Sequence, residues 1–195
     1  MKVIGIAGRI GSGKSAVGKI LSNRNFLVLD LDREVHVLYE TDANLKENLL
    51  KLFGKETVAQ GAVNRKLIAD KVFKDPAALL ELENIVFPLL QVRVEAKIDA
   101  AKNSPNPPLL VAVEGATLFK WEKFSESLDE IWVVEAPQDV RLERLVLRGL
   151  SRQDAQRRMD VQQNDPLPPN AHYIWVNNAG SLEDLELRIG FLAGF

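Results

Sequence analysis

Short, continuously apolar runs alternate along this chain with longer stretches in which apolar residues recur every three or four positions. The runs Val3-Ile4-Gly5-Ile6-Ala7, Phe26-Leu27-Val28-Leu29, Leu109-Leu110-Val111-Ala112-Val113, Ile131-Trp132-Val133-Val134 and Tyr173-Ile174-Trp175-Val176 lack the polar alternation of a half-solvated strand. They fit strands buried on both faces, as in a parallel sheet. Between them, Val17, Ile20 and Leu21 fall at helical spacing. Leu45, Leu49, Leu50 and Phe53 make a second stripe, which Gly54 closes. Asn64 predicts a helix cap with Leu67, Ile68 and Val72 on the apolar side. Asp75 and Pro76 open another helix, with Leu79, Leu80 and Leu82 as its apolar positions, and Pro88 predicts a kink or break before residues 89–98. Pro137 starts a helix through Leu142, Leu145 and Val146, and Gly149 with Ser151 breaks it before a second short helix. The three prolines between Asp165 and Asn170 predict irregular chain, and Ser181 caps the final helix with Glu183 and Asp184 in its first turn. Strands and helices in alternation call for an α/β layered fold with a mainly parallel sheet.

Composition narrows the chemistry. The 195 residues carry 25 Lys plus Arg against 27 Asp plus Glu, a formal net charge of -2. That length suits one globular domain with a small insertion, and the charge balance argues against a broad nucleic-acid-binding surface. With no cysteine, thiolate metal sites, disulfides and cysteine nucleophiles are excluded, and two histidines make a histidine-rich zinc site a poor expectation. No run approaches the roughly 18–20 apolar residues that span a bilayer, so the expectation is a cytoplasmic protein with no membrane partner. No heptad or interface stripe sets an oligomeric state, and a monomer is the default.

One motif decides the ligand class. Gly8-Arg9-Ile10-Gly11-Ser12-Gly13-Lys14-Ser15 matches G-x-x-x-x-G-K-[ST] in full, between a strand run and a helical stripe. Its glycines permit a tight turn whose N–H groups face phosphate oxygens, and the following helix N-terminus adds positive potential. Lys14 reaches β- and γ-phosphates and the Ser15 hydroxyl suits magnesium. The expected ligands are a nucleoside triphosphate and Mg2+. A guanine-selecting N-K-x-D element is absent, and the length fits a small-molecule kinase better than a motor.

Acceptor candidates follow from position. Asp30 and Asp32 end the second strand run, where α/β proteins place ligands, and their i,i+2 spacing aligns both side chains if the strand persists. Asp32 is the favoured base and magnesium partner through water, with Asp30 in support; the plainer reading is a helix cap followed by a solvated acid. Six arginines, at 141, 144, 148, 152, 157 and 158, form a basic island. Arg144, Arg148 and, if the helix continues, Arg152 share a face suited to polyphosphate and to charge on a transferred phosphoryl group; a solvated helix face is the competing account. Glu114 acts on magnesium through water or is an ordinary strand-end acid. Arg65 binds a substrate phosphate or is a surface arginine at a helix start. Phe87, beside Pro88, is a candidate for the acceptor pocket.

Taken in order, these elements resemble the dephospho-CoA kinase family. Its G-G-I-G-S-G-K-S/T loop is similar to residues 8–15, and its D-A-D element to Asp30-Leu31-Asp32. Its N-R stretch followed by phenylalanine–x–x–proline is similar to Asn64-Arg65 and Phe73-Lys74-Asp75-Pro76. Its R-x-x-x-R pattern matches Arg144 to Arg148, its lid R-x-x-x-Q matches Arg158 to Gln162, and its asparagine–glycine loop resembles Asn178-Ala179-Gly180. Departures are Arg9 for the second loop glycine, Phe87 for histidine, Gly115–Phe119 for a P-L-L element, Gly149 for an aspartate, and Asp165–Pro169 for basic lid residues.

The resemblance implies a P-loop NTPase three-layer fold with a five-stranded mainly parallel sheet, a helical CoA-binding region and a small lid. It places the core in residues 1–32, 104–148 and 171–195, the acceptor region in 33–103 and the lid in 149–170 of a single domain. It implies transfer of the ATP γ-phosphoryl to the 3′-hydroxyl of the dephospho-CoA ribose. Gly8, Ile10, Gly11, Ser12, Gly13, Lys14 and Ser15 would cradle the donor. Arg144 and Arg148 would approach its phosphates, and Asn178 and Gly180 would lie on its adenine side. Asp30, Asp32, Arg65 and Phe87 would meet the acceptor, with Asp32, Lys14 and Arg148 as the catalytic set. Another nucleoside or small-molecule kinase, or a non-catalytic ATP-binding regulator, is the alternative.

Overall fold

Ile4 to Ala7 of the first apolar run are buried, and that is why the run carries no polar alternation. In the computed structural model, which describes residues 1–72, 75–161 and 170–195, the strands are β1 (Lys2–Ala7), β2 (Leu27–Asp30), β3 (Val58–Ala59), β4 (Ala62–Val63), β5 (Leu110–Glu114), β6 (Glu130–Glu135) and β7 (Tyr173–Asn177). The helices are α1 (Lys14–Asn23), α2 (Leu31–Thr41), α3 (Ala43–Phe53), α4 (Arg65–Val72), α5 (Pro76–Lys102), α6 (Glu122–Ser127), α7 (Gln138–Leu147), α8 (Arg152–Val161) and α9 (Leu182–Ala193). Two compact units result, Met1–Asp30 with Ala100–Phe195, and Leu31–Asp99.

The first unit holds a parallel sheet in the order β2-β5-β1-β6-β7. On one face, Val17, Ile20 and Leu21 of α1 and Leu185 and Ile189 of α9 close over Ile4, Ile6, Ala112, Trp132 and Val176. On the other, Gly5 lies so close to Leu118 and Leu128 that a Cβ would sit 2.6 and 3.0 Å from their methyls. This is the three-layer α/β arrangement expected, with β1 central and flanked by β5 and β6. Ligands in such sheets bind beyond the strand C-termini, at the crevice where the connections diverge. A second small core joins α7 to α8 through Leu142, Leu145, Ala155 and Met159, and Ile10 packs against it.

The second unit is helical. Leu45, Leu49 and Phe53 of α3, Ile68 and Val72 of α4, and Val86, Leu90 and Val94 of α5 are buried. Asn64 Oδ1 accepts from Leu67 N at 3.1 Å and Asp75 Oδ1 from Ala77 N at 2.9 Å, as their cap positions predict. Glu34 of α2 is buried and ion-paired to both Arg93 (2.6 Å) and Lys97 of α5.

Several local expectations change. Pro88 does not break α5, which runs uninterrupted from 76 to 102; its missing N–H removes one ladder bond while buried Val86, Leu90 and Val94 hold both halves. Leu80 is exposed and Leu50 only half-buried, so the apolar stripes are narrower than their spacing suggests. The β3–β4 hairpin was not anticipated: Gln60 (φ 51°) and Gly61 (φ 79°) form a two-residue turn between very short strands. Residues 73–74 and 162–169, including Phe73, Gln162 and the prolines at 166, 168 and 169, lie outside the described residues.

Candidate active site

β1 ends at Ala7 and the chain turns at once into the glycine-rich loop. Gly8 (φ 146°), Gly11 (φ 80°) and Gly13 (φ 101°) adopt backbone angles that side chains disfavour. Space is as restrictive as angle at all three, a Cβ at Gly11 falling 2.8 Å from the Arg141 carbonyl oxygen. A Cβ at Gly8 would overlap the Val134 carbonyl, and one at Gly13 would overlap the Asn178 amide. Helix α1 begins at Lys14 with no side-chain cap and no acid in its first turn. Its first N–H groups and dipole therefore face the loop unneutralised, which favours an anion. Lys14 Nζ donates to the Gly8 carbonyl at 2.9 Å, spanning the loop mouth.

Distant parts of the chain brace this loop from behind. The Ser12 carbonyl accepts from Asn178 Nδ2 at 2.7 Å and from Arg144 Nη1 at 3.3 Å. Arg144 Nη2 also donates to the Asn178 carbonyl at 2.9 Å, and Asn178 N donates to the Glu135 carbonyl at 2.7 Å. Arg144 and Asn178 thus touch the loop backbone itself. Arg148 is exposed at the end of α7, and Gly149 (φ 94°) ends that helix. Arg152 begins α8, so the shared face of Arg144, Arg148 and Arg152 does not form. Gly180 belongs to the α9 capping segment, where Ser181 and Asp184 form a reciprocal cap.

At the opposite side of the loop, Ser15 Oγ donates to Glu114 Oε1 at 3.0 Å. Glu114 is buried at the end of β5 and pairs in register with Asp30 at the end of β2. Among the described residues no group of three or more His, Asp or Glu forms a metal cage. Magnesium bound mainly by nucleotide oxygens and water needs only a hydroxyl and a nearby carboxylate. Ser15 and Glu114 fit that requirement.

Asp32 differs from its expected setting. The strand stops at Asp30, and Asp32 lies in the first turn of α2, exposed, so Asp30 and Asp32 are not two positions of one strand. The helix instead lines Asp32, Val35, His36 and Tyr39 along one cleft, completed by Arg65 and Lys66 at the start of α4. Two of the proposed acceptor residues, Asp32 and Arg65, therefore share a cleft in the helical unit. Burial pushes the Tyr39 phenol above its ordinary pKa, with the Arg65 guanidinium pulling the other way. His36, Tyr39 and Lys66 carried no role on sequence grounds; the 32, 35, 36, 39 helical spacing was the available signal. Phe87 is half-buried in α5 and does not line this cleft.

Residues 2–184 match the family model described as dephospho-CoA kinase. Dephospho-CoA kinase of Frankia casuarinae is 38% identical over 190 residues, covering 97% of this chain and 81% of its own length. That of Aquifex aeolicus is 35% identical over 187 residues, covering 94% and 92%. The crystal structure of TT1252 from Thermus thermophilus superposes with a TM-score of 0.76 at 32% identity, covering 99% of this chain and 96% of that one.

Proposed function

Because the chain belongs to the dephospho-CoA kinase family, we propose that it transfers the γ-phosphoryl group of ATP to the 3′-hydroxyl of the dephospho-CoA ribose, giving CoA and ADP. The observation that carries this reading is the cleft shared by Asp32 and Arg65, two residues matched to the family's acceptor motifs. The family supports phosphoryl transfer from ATP in general, and the cleft is what favours this acceptor. Residues 33–103 are assigned to the acceptor and 149–170 to a lid. Among the described residues, no helix is long and apolar enough to cross a membrane, and the reaction is assigned to the cytoplasm.

The loop N–H groups and Lys14 hold the β- and γ-phosphates, Lys14 exchanging the Gly8 carbonyl for a phosphate oxygen. Ser15 and Glu114 would hold magnesium, which would neutralise negative charge on the nucleotide phosphates. Asp32 accepts the proton of the 3′-hydroxyl as its oxygen bonds to the γ-phosphorus and the bond to the ADP oxygen breaks. Arg65 orients the acceptor, and Arg148 approaches the transferred group once the lid segment is in place. Alignment of donor and acceptor and stabilisation of charge supply most of the acceleration.

The test is a transfer assay with ATP and Mg2+ against dephospho-CoA, adenosine, AMP, CMP and shikimate. Dephospho-CoA is expected to turn over with kcat/KM at least about 100-fold above the others, the discrimination a site gains from hydrogen-bonding groups unique to one substrate. No CoA from dephospho-CoA, together with turnover of another acceptor, overturns the assignment.

A further inference from the structure

Helix α7 turns a guanidinium inward. Arg141 is only 7% exposed, and its Nη1 donates to the Ile10 carbonyl at a long 3.5 Å. None of the ion pairs among the described residues includes it. A buried cation left without a carboxylate is costly, and a guanidinium has five N–H donors to satisfy. Burial lowers the Arg141 pKa, the Arg9 charge acts in the same direction, and the Glu135 carboxylate offsets only part of this.

A polar group nearby is unsatisfied. Ser12 Oγ is fully buried with no hydrogen-bond partner. Both side chains line one cavity of about 140 Å³, together with Arg9, Glu135, Phe119 and Trp175. Unsatisfied buried polar groups are uncommon in native proteins, and one beside a buried guanidinium whose Nη1 bond is long points to an absent acceptor. The cavity lies wholly within the sheet-containing unit, beside the phosphate loop.

We propose that this cavity is an anion-binding site taking a phosphate or diphosphate group, whose oxygens accept from the Arg141 guanidinium and the Ser12 hydroxyl. Guanidinium geometry suits such oxygens, and Arg9 adds long-range attraction at a position where the family pattern has glycine. The group belongs either to a free phosphate compound or to the diphosphate of the acceptor; only the second source rests on the function proposed above.

The experiment fills the phosphate loop first. Full-length protein is saturated with a non-hydrolysable ATP analogue and Mg2+, then titrated calorimetrically with inorganic pyrophosphate. One binding event is expected, weakened about 10- to 100-fold in Arg141→Gln, the loss of a charge-assisted hydrogen bond. Arg9→Gly, a surface change that keeps the protein folded should Arg141→Gln not fold, is expected to weaken it about 1.5- to 5-fold, as the loss of a single screened charge. Absence of binding in the wild type, or equal binding in both variants, overturns the site. So does a parallel loss of ATP-analogue affinity in Arg141→Gln, which would assign Arg141 to holding the loop. In steady state, pyrophosphate competitive with dephospho-CoA identifies the acceptor's own diphosphate as the ligand, and a non-competitive pattern identifies a free phosphate compound. The calorimetric result stands even if dephospho-CoA is not turned over.

Discussion

Removal of Asn178 and Arg144 side chains, singly and together, tests whether the phosphate loop is held by a shared acceptor. The Ser12 carbonyl accepts from both, at 2.7 Å from Asn178 Nδ2 and 3.3 Å from Arg144 Nη1. Asn178→Ala removes a short, buried bond but leaves the carbonyl its arginine donor. A net loss of about 1 kcal/mol is expected, the usual worth of one intramolecular hydrogen bond. Arg144→Ala removes two bonds, to Ser12 and to the Asn178 carbonyl, and costs about 2 kcal/mol. The double variant leaves the Ser12 carbonyl bare, adding the penalty of an unsatisfied buried acceptor. Its cost should therefore exceed the sum of the singles by about 1 kcal/mol, within the range for coupled neighbours. Urea unfolding measures the cycle, and ATP-analogue affinity, falling about tenfold in the double variant, reports the loop itself. Additivity within about 0.5 kcal/mol would refute the shared acceptor.

Gly13→Ala combines a φ of 101° with overlap against the Asn178 amide; a nucleotide affinity at least about tenfold weaker by calorimetry is expected from strain of about 1–3 kcal/mol. Asp32→Asn should lower kcat by about 10²- to 10⁴-fold while ATP affinity changes little, and an unchanged kcat removes it as the base. Glu34 is buried; burial raises its pKa, but hydrogen bonds from Lys97 and Arg93 and their charges outweigh that, leaving it below its ordinary value. A depressed folded pKa means stability present above the unfolded value, about 4.3, and lost as pH falls below it. Glu34→Gln should flatten that acid limb in thermal melts recorded from pH 6 to pH 3.

The legible features are those set by a few consecutive residues. Glycines at 8, 11 and 13 read as a phosphate loop because the turn demands left-handed backbone within the motif itself. Asn64, Asp75 and Ser181 read as caps because each bonds an N–H two or three residues on. The placement of Asp32 on a helix was not legible because strand length is not local. β2 ends where Asp30 pairs with Glu114, the last residue of β5, and with no further ladder the chain turns directly into α2.

Amino-acid order alone determined the alternation of buried strands and helices, the phosphate loop and the family. Those depend on side-chain chemistry at short spacing. Only the tertiary structure decided that residues 132 and 166 positions away from Ser12 meet on its carbonyl, that Asp32 and Arg65 share a cleft, and that Arg141 is buried outside any ion pair among the described residues. Each of these follows from the parallel sheet and helix packing, which bring together groups that no local pattern relates.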